Sequence, residues 1–176
     1  MKENFYKNPF IIIWHSKNNL MPLYLVSSWF MLLLISIFGT FQFDYFNFSN
    51  LSLSSHFSIS STGLTLTLAL FVAGKAAFND TELKILAQHK PKKDLQGQAL
   101  INFLGPFVFT SMIFFLTGIV SLYAPYLDLN LTLTVITVFK IMYLNLLSLG
   151  FFSLFNLVIT MLNDVYLKAF RTDKSE

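Results

Sequence analysis

The chain predicts an all-α integral membrane protein with four transmembrane helices, a short N-terminal interfacial helix and a small extracytoplasmic β-layer. Three observations carry that reading. First, only 12% of the 176 residues are charged, against roughly 25% in a soluble domain, which leaves too few ions to solvate a globule. Second, hydrophobic residues make up 55% and aromatics 17% of the chain, with a mean hydropathy of +0.61. Third, the apolar residues fall into four runs long enough to cross a hydrocarbon core, which takes about 20 helical residues.

The four runs extend over about 22–41, 62–78, 99–124 and 135–162, in one domain covering 1–176. The last is the longest, so it tilts or protrudes at one end. The first begins after about twenty residues and is too long for the apolar core of a cleavable leader, so it reads as a retained span. Connections then fall at 42–61 and 125–134 on one side, and at 79–98 on the other.

Orientation follows from the cations, which concentrate on the cytoplasmic side. Lys2, Lys7 and Lys17 precede the first span, and Lys75, Lys84, Lys90, Lys92 and Lys93 cluster around the 79–98 connection. Lys168, Arg171 and Lys174 follow the last span. The other two connections contain no Lys or Arg, which predicts both termini and the basic loop inside. The net charge of +3 therefore reflects topology and attraction to anionic lipid, and no direct nucleic-acid binding is expected. Docking of a cytoplasmic protein is the functional alternative for Lys84, Lys90, Lys92 and Lys93.

Local signals fill in the remaining elements. Asn8-Pro9 reads as an N-cap followed by proline at the first helical position. The run Phe10 to Trp14 then suits a short helix at the interface, with Trp14 at headgroup depth. In the inner loop Asp80 caps a short helix around Thr81–His89, a break follows at Lys90-Pro91-Lys92-Lys93, and Asp94 caps the lead-in to the third span. Outside, Leu127 to Val135 alternates strictly between apolar and polar residues, as do Leu51/Leu53, Phe57/Ile59 and Phe41/Phe43. Period-two patterning predicts strands, hence the β-layer over the helix ends. Beyond Leu162, Val165, Tyr166, Ala169 and Phe170 give the last helix an apolar face that continues past the membrane.

Candidate functional residues are few. No Asp, Glu or His lies deep in a predicted span, and such groups usually mark function there. Lys75 is close enough to the end of its span to snorkel. Lys140 has two readings: an outer-interface anchor paired with Asp128 or Asp44, or an anion site or gate some two turns deep. The fourth span carries a polar stripe of Asn145, Ser148, Asn156, Thr160 and Asn163 on one helix face. The third offers Asn102, Pro106, Thr110 and Thr117, with a kink at Gly105-Pro106. These stripes either glue helices together or line a hydrophilic path. Ala69, Ala73 and Ala77, with Gly74, form a small-residue face fit for close helix approach.

Other chemistries lack their residues. The chain has no cysteine, so disulfides, thiolate nucleophiles and cysteine–metal sites are excluded. His15, His56 and His89 have no metal-ligand spacing, and no phosphate loop, HExxH or GxSxG occurs. Three glycosylation triplets, at Asn47, Asn50 and Asn130, all fall outside, and chance supplies such triplets in an Asn/Ser-rich chain. A membrane enzyme would need a nucleophile–base or metal constellation, and no catalytic, metal or cofactor residue is assigned.

In size, four-pass layout and compact basic inner loop (Lys84 to Lys93), the chain resembles the membrane subunit of Kiwa-type anti-phage defence systems. The likeness is carried by architecture over the whole chain, without a specific motif. It implies a homo-oligomeric envelope sensor working with a cytoplasmic DNA-binding partner. The resulting expectation is a non-catalytic scaffold or sensor in antiviral defence, engaging its partner through the basic loop, Lys168 and Arg171. The alternative is a small oligomeric channel or transporter for an anion or neutral solute, lined by the stripes.

Overall fold

A computed structural model describes residues 8–43, 45–48, 51–76, 85–87, 97–127 and 132–172, with backbone alone at 165 and 167–172. Within these residues the chain is helical and contains no strand. Four helices are long and apolar enough to cross a membrane.

Helix α1 spans Pro9–Ser16 and opens as the sequence predicts, with the Phe10 amide donating to Asn8 Oδ1 at 3.0 Å and Pro9 at the first position. A 3-10 turn over Lys17–Asn19 leads to Pro22, the N-cap of α2, Leu23–Phe41. At the far end of α2 the Gln42 and Phe43 amides both donate to the Phe38 carbonyl, and Tyr45 donates to Gly39 O at 2.7 Å. The Phe46 ring then lies against Gly39, where a Cβ would come within 2.6 Å of it.

Helix α3 covers Phe57–Ala76 and follows a 3-10 turn at Leu53–His56. It therefore starts five residues before the expected position 62, and the expected strand at Phe57 and Ile59 is helix instead. The serines explain the reversal. Ser55 Oγ donates to Ser52 O at 2.6 Å within the turn, and Ser60 is buried against the neighbouring helix. Short hydroxyl side chains that bond back to the backbone favour tight turns over extended chain. At the other expected strand, residues from Leu133 onward are also helical, while 128–131 and Asp44 lie outside the described residues. Of the predicted inner-loop helix only 85–87 is described, and it is helical; Asp80 and Asp94 lie outside.

Helix α4, Gln98–Tyr123, is the hub, packing against α1, α3 and the last helix. It starts behind Gly97, whose φ of 80° is the left-handed region that suits glycine, and ends in a 3-10 turn at Ala124–Tyr126. Helix α5 runs unbroken from Leu133 to Thr172, 40 residues. At 1.5 Å per residue that is about 60 Å, twice a hydrocarbon core of ~30 Å. By contrast α2 has α5 as its main partner, and α2 and α4 do not pack closely on each other.

The tightest packing surrounds Phe114, which is 1% exposed and clusters with Tyr143 and Leu147. Its ring passes between Gly63 of α3, where a Cβ would come within 2.5 Å of Cζ, and Gly150 of α5, where it would come within 3.0 Å of Cε1. Two glycines on facing helices thus make room for one aromatic. The face of α3 that packs is Ser60, Gly63, Thr67 and Gly74. Of the small-residue face expected from the sequence, Gly74 is buried, Ala69 and Ala73 are exposed, and Ala77 lies outside the described residues.

Candidate functional site

The polar residues of the spans form a seam between helices. Thr110 Oγ1 lies 2.6 Å from Ser153 Oγ, joining α4 to α5, and also donates to Pro106 O at 2.8 Å. Ser60 Oγ donates to Thr117 Oγ1 at 3.0 Å, joining α3 to α4, and Ser121 Oγ donates to the Leu53 carbonyl. Thr67, Thr110, Thr117, Ser121 and Ser153 are fully buried. A hydroxyl in hydrocarbon has no water to turn to, so each is satisfied by a neighbouring helix or by the carbonyl one turn back.

The α5 stripe is divided among several partners. Asn145 Nδ2 donates to Ser36 Oγ of α2 and to Ile141 O, both at 2.9 Å, and Trp29 Nε1 donates to Asn145 O at 2.9 Å. These bonds latch α2 onto α5. Ser148 and Thr160 return to carbonyls of their own helix, at Asn145 and Asn156. Asn156 Nδ2 reaches Leu20 O at 3.1 Å, tying α5 to the α1–α2 link. Asn102 Oδ1 accepts from Gln98 Nε2 at 2.9 Å, and the same Nε2 donates to His15 O of α1. Asn163 is exposed. Sequence periodicity found this stripe but missed Ser36, Ser60, Ser121, Trp29 and Ser153, whose roles depend on pairing across helices.

Lys140 lies two turns into α5 and is half-buried. Its Nζ donates to the Phe48 carbonyl at 2.7 Å, so the 45–48 segment folds down to meet it. Asp44 and Asp128, its expected carboxylate partners, lie outside the described residues. So do Lys84, Lys90, Lys92 and Lys93; for Lys168 and Arg171 the structure gives only helical backbone on α5.

Two recesses adjoin the seam. A small one of about 190 Å³ is lined by Asn19, Asn102, Pro106, Thr160 and Asp164 among others. A larger one of about 890 Å³ lies between α2 and α4 with α5 as its floor. Trp29 and Leu33 form one wall, Ile119, Val120 and Tyr123 the other, and Lys140, Tyr143 and Asn145 are on the floor. The Tyr143 hydroxyl and Asn145 Oδ1 are buried and find no hydrogen-bond partner among the described residues.

Comparison of the chain with protein-family models, curated proteins and solved structures found no match. Among the described residues no three His, Asp or Glu side chains gather as metal ligands would.

Proposed function

We propose that this chain is a non-catalytic membrane scaffold or envelope sensor. It assembles with copies of itself and engages a cytoplasmic protein through the basic 79–98 loop and the inner end of α5. The observation that carries the reading is α5, one continuous helix of 40 residues. It lines the outer groove with residues such as Ile136 and Lys140 and runs on to Thr172, beyond the length a bilayer requires. A change at one end is thereby transmitted to the other without a joint.

Three further features support it. Apart from Asn145 Oδ1 and the Tyr143 hydroxyl, the seam hydroxyls and amides are bonded within the chain, as expected of helix glue rather than of groups held for solvating a permeant. The faces of α2 and the Ala69/Ala73 face of α3 are apolar and exposed, which gives copies of the chain room to associate. The cation distribution supports a cytoplasmic side for the termini, Lys84, Lys90, Lys92, Lys93, Lys168 and Arg171, and the 70% exposure of Trp14 of α1 suits a position at headgroup depth. A role in anti-phage defence beside a DNA-binding partner belongs to the same proposal and rests on the architectural resemblance.

The test is recovery of the tagged chain in mild detergent. A soluble protein is expected in fixed ratio, lost when Lys84, Lys90, Lys92 and Lys93 are changed together to Glu. Recovery of the chain alone, combined with solute flux in liposomes that Asn156→Leu or Lys140→Leu abolishes, would replace this reading with a channel.

A further inference from the structure

We propose that the small recess between α4, α5 and the α1–α2 link binds a primary ammonium group, carried by a lipid headgroup or by a dissolved amine, with Asp164 as its counter-ion. This goes beyond the scaffold reading and does not depend on it.

Helix periodicity builds the walls. Thr160 and Asp164 stand one turn apart on the face of α5 that meets α4. Asn102 and Pro106 of α4, also one turn apart, lie opposite, and Asn19 of the link closes a third side. Asp164 is half-buried, and among the described residues it makes no hydrogen bond or ion pair. A carboxylate drawn part-way out of water without a partner is costly until a cation arrives.

The oxygens beside it also lack protons to offer. Thr160 Oγ1 donates its own to Asn156 O at 2.9 Å, and Asn102 Oδ1 already accepts from Gln98 Nε2. Pro106 has no N–H with which to meet the Asn102 carbonyl four residues back. These oxygens keep lone pairs for a donor, and a primary ammonium brings three N–H groups. None of these side chains is sealed off: Asp164 and Asn102 are half-buried, Asn19 and Thr160 exposed.

Size and charge narrow the occupant. The volume of about 190 Å³ is below the roughly 300–1,000 Å³ of drug-sized ligand sites, so the recess takes a group of a few heavy atoms. Among the described residues no Lys, Arg or His lines it, which leaves an anion without a counter-charge. The rest of the wall is apolar and includes Phe103 and Phe107, their rings 5.5 Å apart. A metal ion needs a shell of oxygens and gains little from such a wall. An alkyl-ammonium packs its carbons there and its charge against aromatic rings. Asp164 also closes the apolar stretch Leu133–Asp164, where hydrocarbon gives way to water, and both headgroup and dissolved amines reach that depth.

The experiment uses the full chain and has two arms. In detergent, native mass spectrometry compares binding of dioleoyl phosphatidylethanolamine with dioleoyl phosphatidylcholine, whose quaternary nitrogen has no N–H. In phosphatidylcholine nanodiscs, saturation-transfer NMR compares n-butylammonium with n-butanol. At least one amine is expected to bind about tenfold more tightly than its control, the yield of one charge-assisted hydrogen bond. Preference for phosphatidylethanolamine assigns the site to a headgroup; preference for n-butylammonium alone assigns it to a dissolved amine. Asp164→Asn should abolish the preference and Asp164→Glu retain it. Because Asp164→Asn breaks no bond among the described residues, its unfolding midpoint should match the parent's. Thr160→Trp, at an exposed position on the lining, should weaken binding several-fold by filling the recess. Equal binding of each amine and its control would overturn the proposal, as would a preference untouched by Asp164→Asn. So would displacement of the amine by equimolar sodium or magnesium, which would make the recess an inorganic cation site.

Discussion

Replacing Gly105 with alanine tests whether α1 is seated on α4 as the structure has it. A Cβ at Gly105 would fall onto Ser16 Oγ and Cβ, while Leu20 Cδ2, at 3.7 Å, would be in ordinary contact. Ser16 is 1% exposed, with its Oγ donating to Ile12 O at 2.9 Å, so it has no open space to swing into. Overpacking of this kind costs about 1–3 kcal/mol, offset by up to about 1 kcal/mol from alanine's better helix propensity. The net expectation is a loss of about 1–2 kcal/mol, concentrated at α1. Ser16→Gly removes both clashing atoms, so the double variant should recover most of the loss, leaving a coupling of about 1–2 kcal/mol in a double-mutant cycle. The assay is reversible unfolding in mixed micelles, with Trp14 fluorescence reporting on α1. Gly105→Ala as stable as the parent, or as unstable with Ser16→Gly as without it, would refute the docking of α1.

Phe114→Ala should cost about 3–5 kcal/mol in the same unfolding assay, because its ring fills the gap between Gly63 and Gly150 and a cavity would remain. Thr110→Val and Ser153→Ala should show a coupling of about 0.6 kcal/mol and no more than about 1.7, the range for hydroxyl bonds between membrane helices. Lys140→Met should release the 45–48 segment from α5, raising its proteolysis in intact proteoliposomes, with a stability change within about 1 kcal/mol. A lone cysteine at Ser54 should react with an impermeant maleimide in whole cells, and one at Lys93 only after permeabilisation; the reverse pattern would invert the topology.

The four spans were legible because hydrocarbon solvent demands long apolar runs, and the Asn8-Pro9 start of α1 because its capping chemistry is local. The start of α3 was not. Ser54, Ser55, Ser58, Ser60 and Ser61 read as a polar outer loop, whereas in the structure they build a turn and then a helix whose Ser60 faces Thr117. The alternation of Phe57 and Ile59 fits two periods over so short a stretch, and tertiary packing chose the helical one. Ala69 and Ala73 are exposed within the chain, and the sequence left open whether their face meets the same chain or a second copy. Composition does not say which face of a membrane helix meets protein and which meets lipid. The seam was half legible: periodicity found Asn145, Asn156 and Thr110 but cannot assign partners such as Ser36, Leu20 and Ser153. The groove could not be read at all, since it arises from α2 and α4 standing apart, a relation between segments about eighty residues distant in the chain.

The latch between α2 and α5 has a consequence for biogenesis. Trp29 and the Asn145 carbonyl are 116 residues apart, so at about 5–20 residues per second the ribosome takes roughly 6–23 s to deliver the second after the first. During that interval α2 must persist in the bilayer without its main protein partner. Its mean hydropathy of 1.9, and the small share of its surface that the finished fold covers, equip it to wait there as a self-sufficient unit. Completion of the bundle is then a late capture of the first span by the fourth.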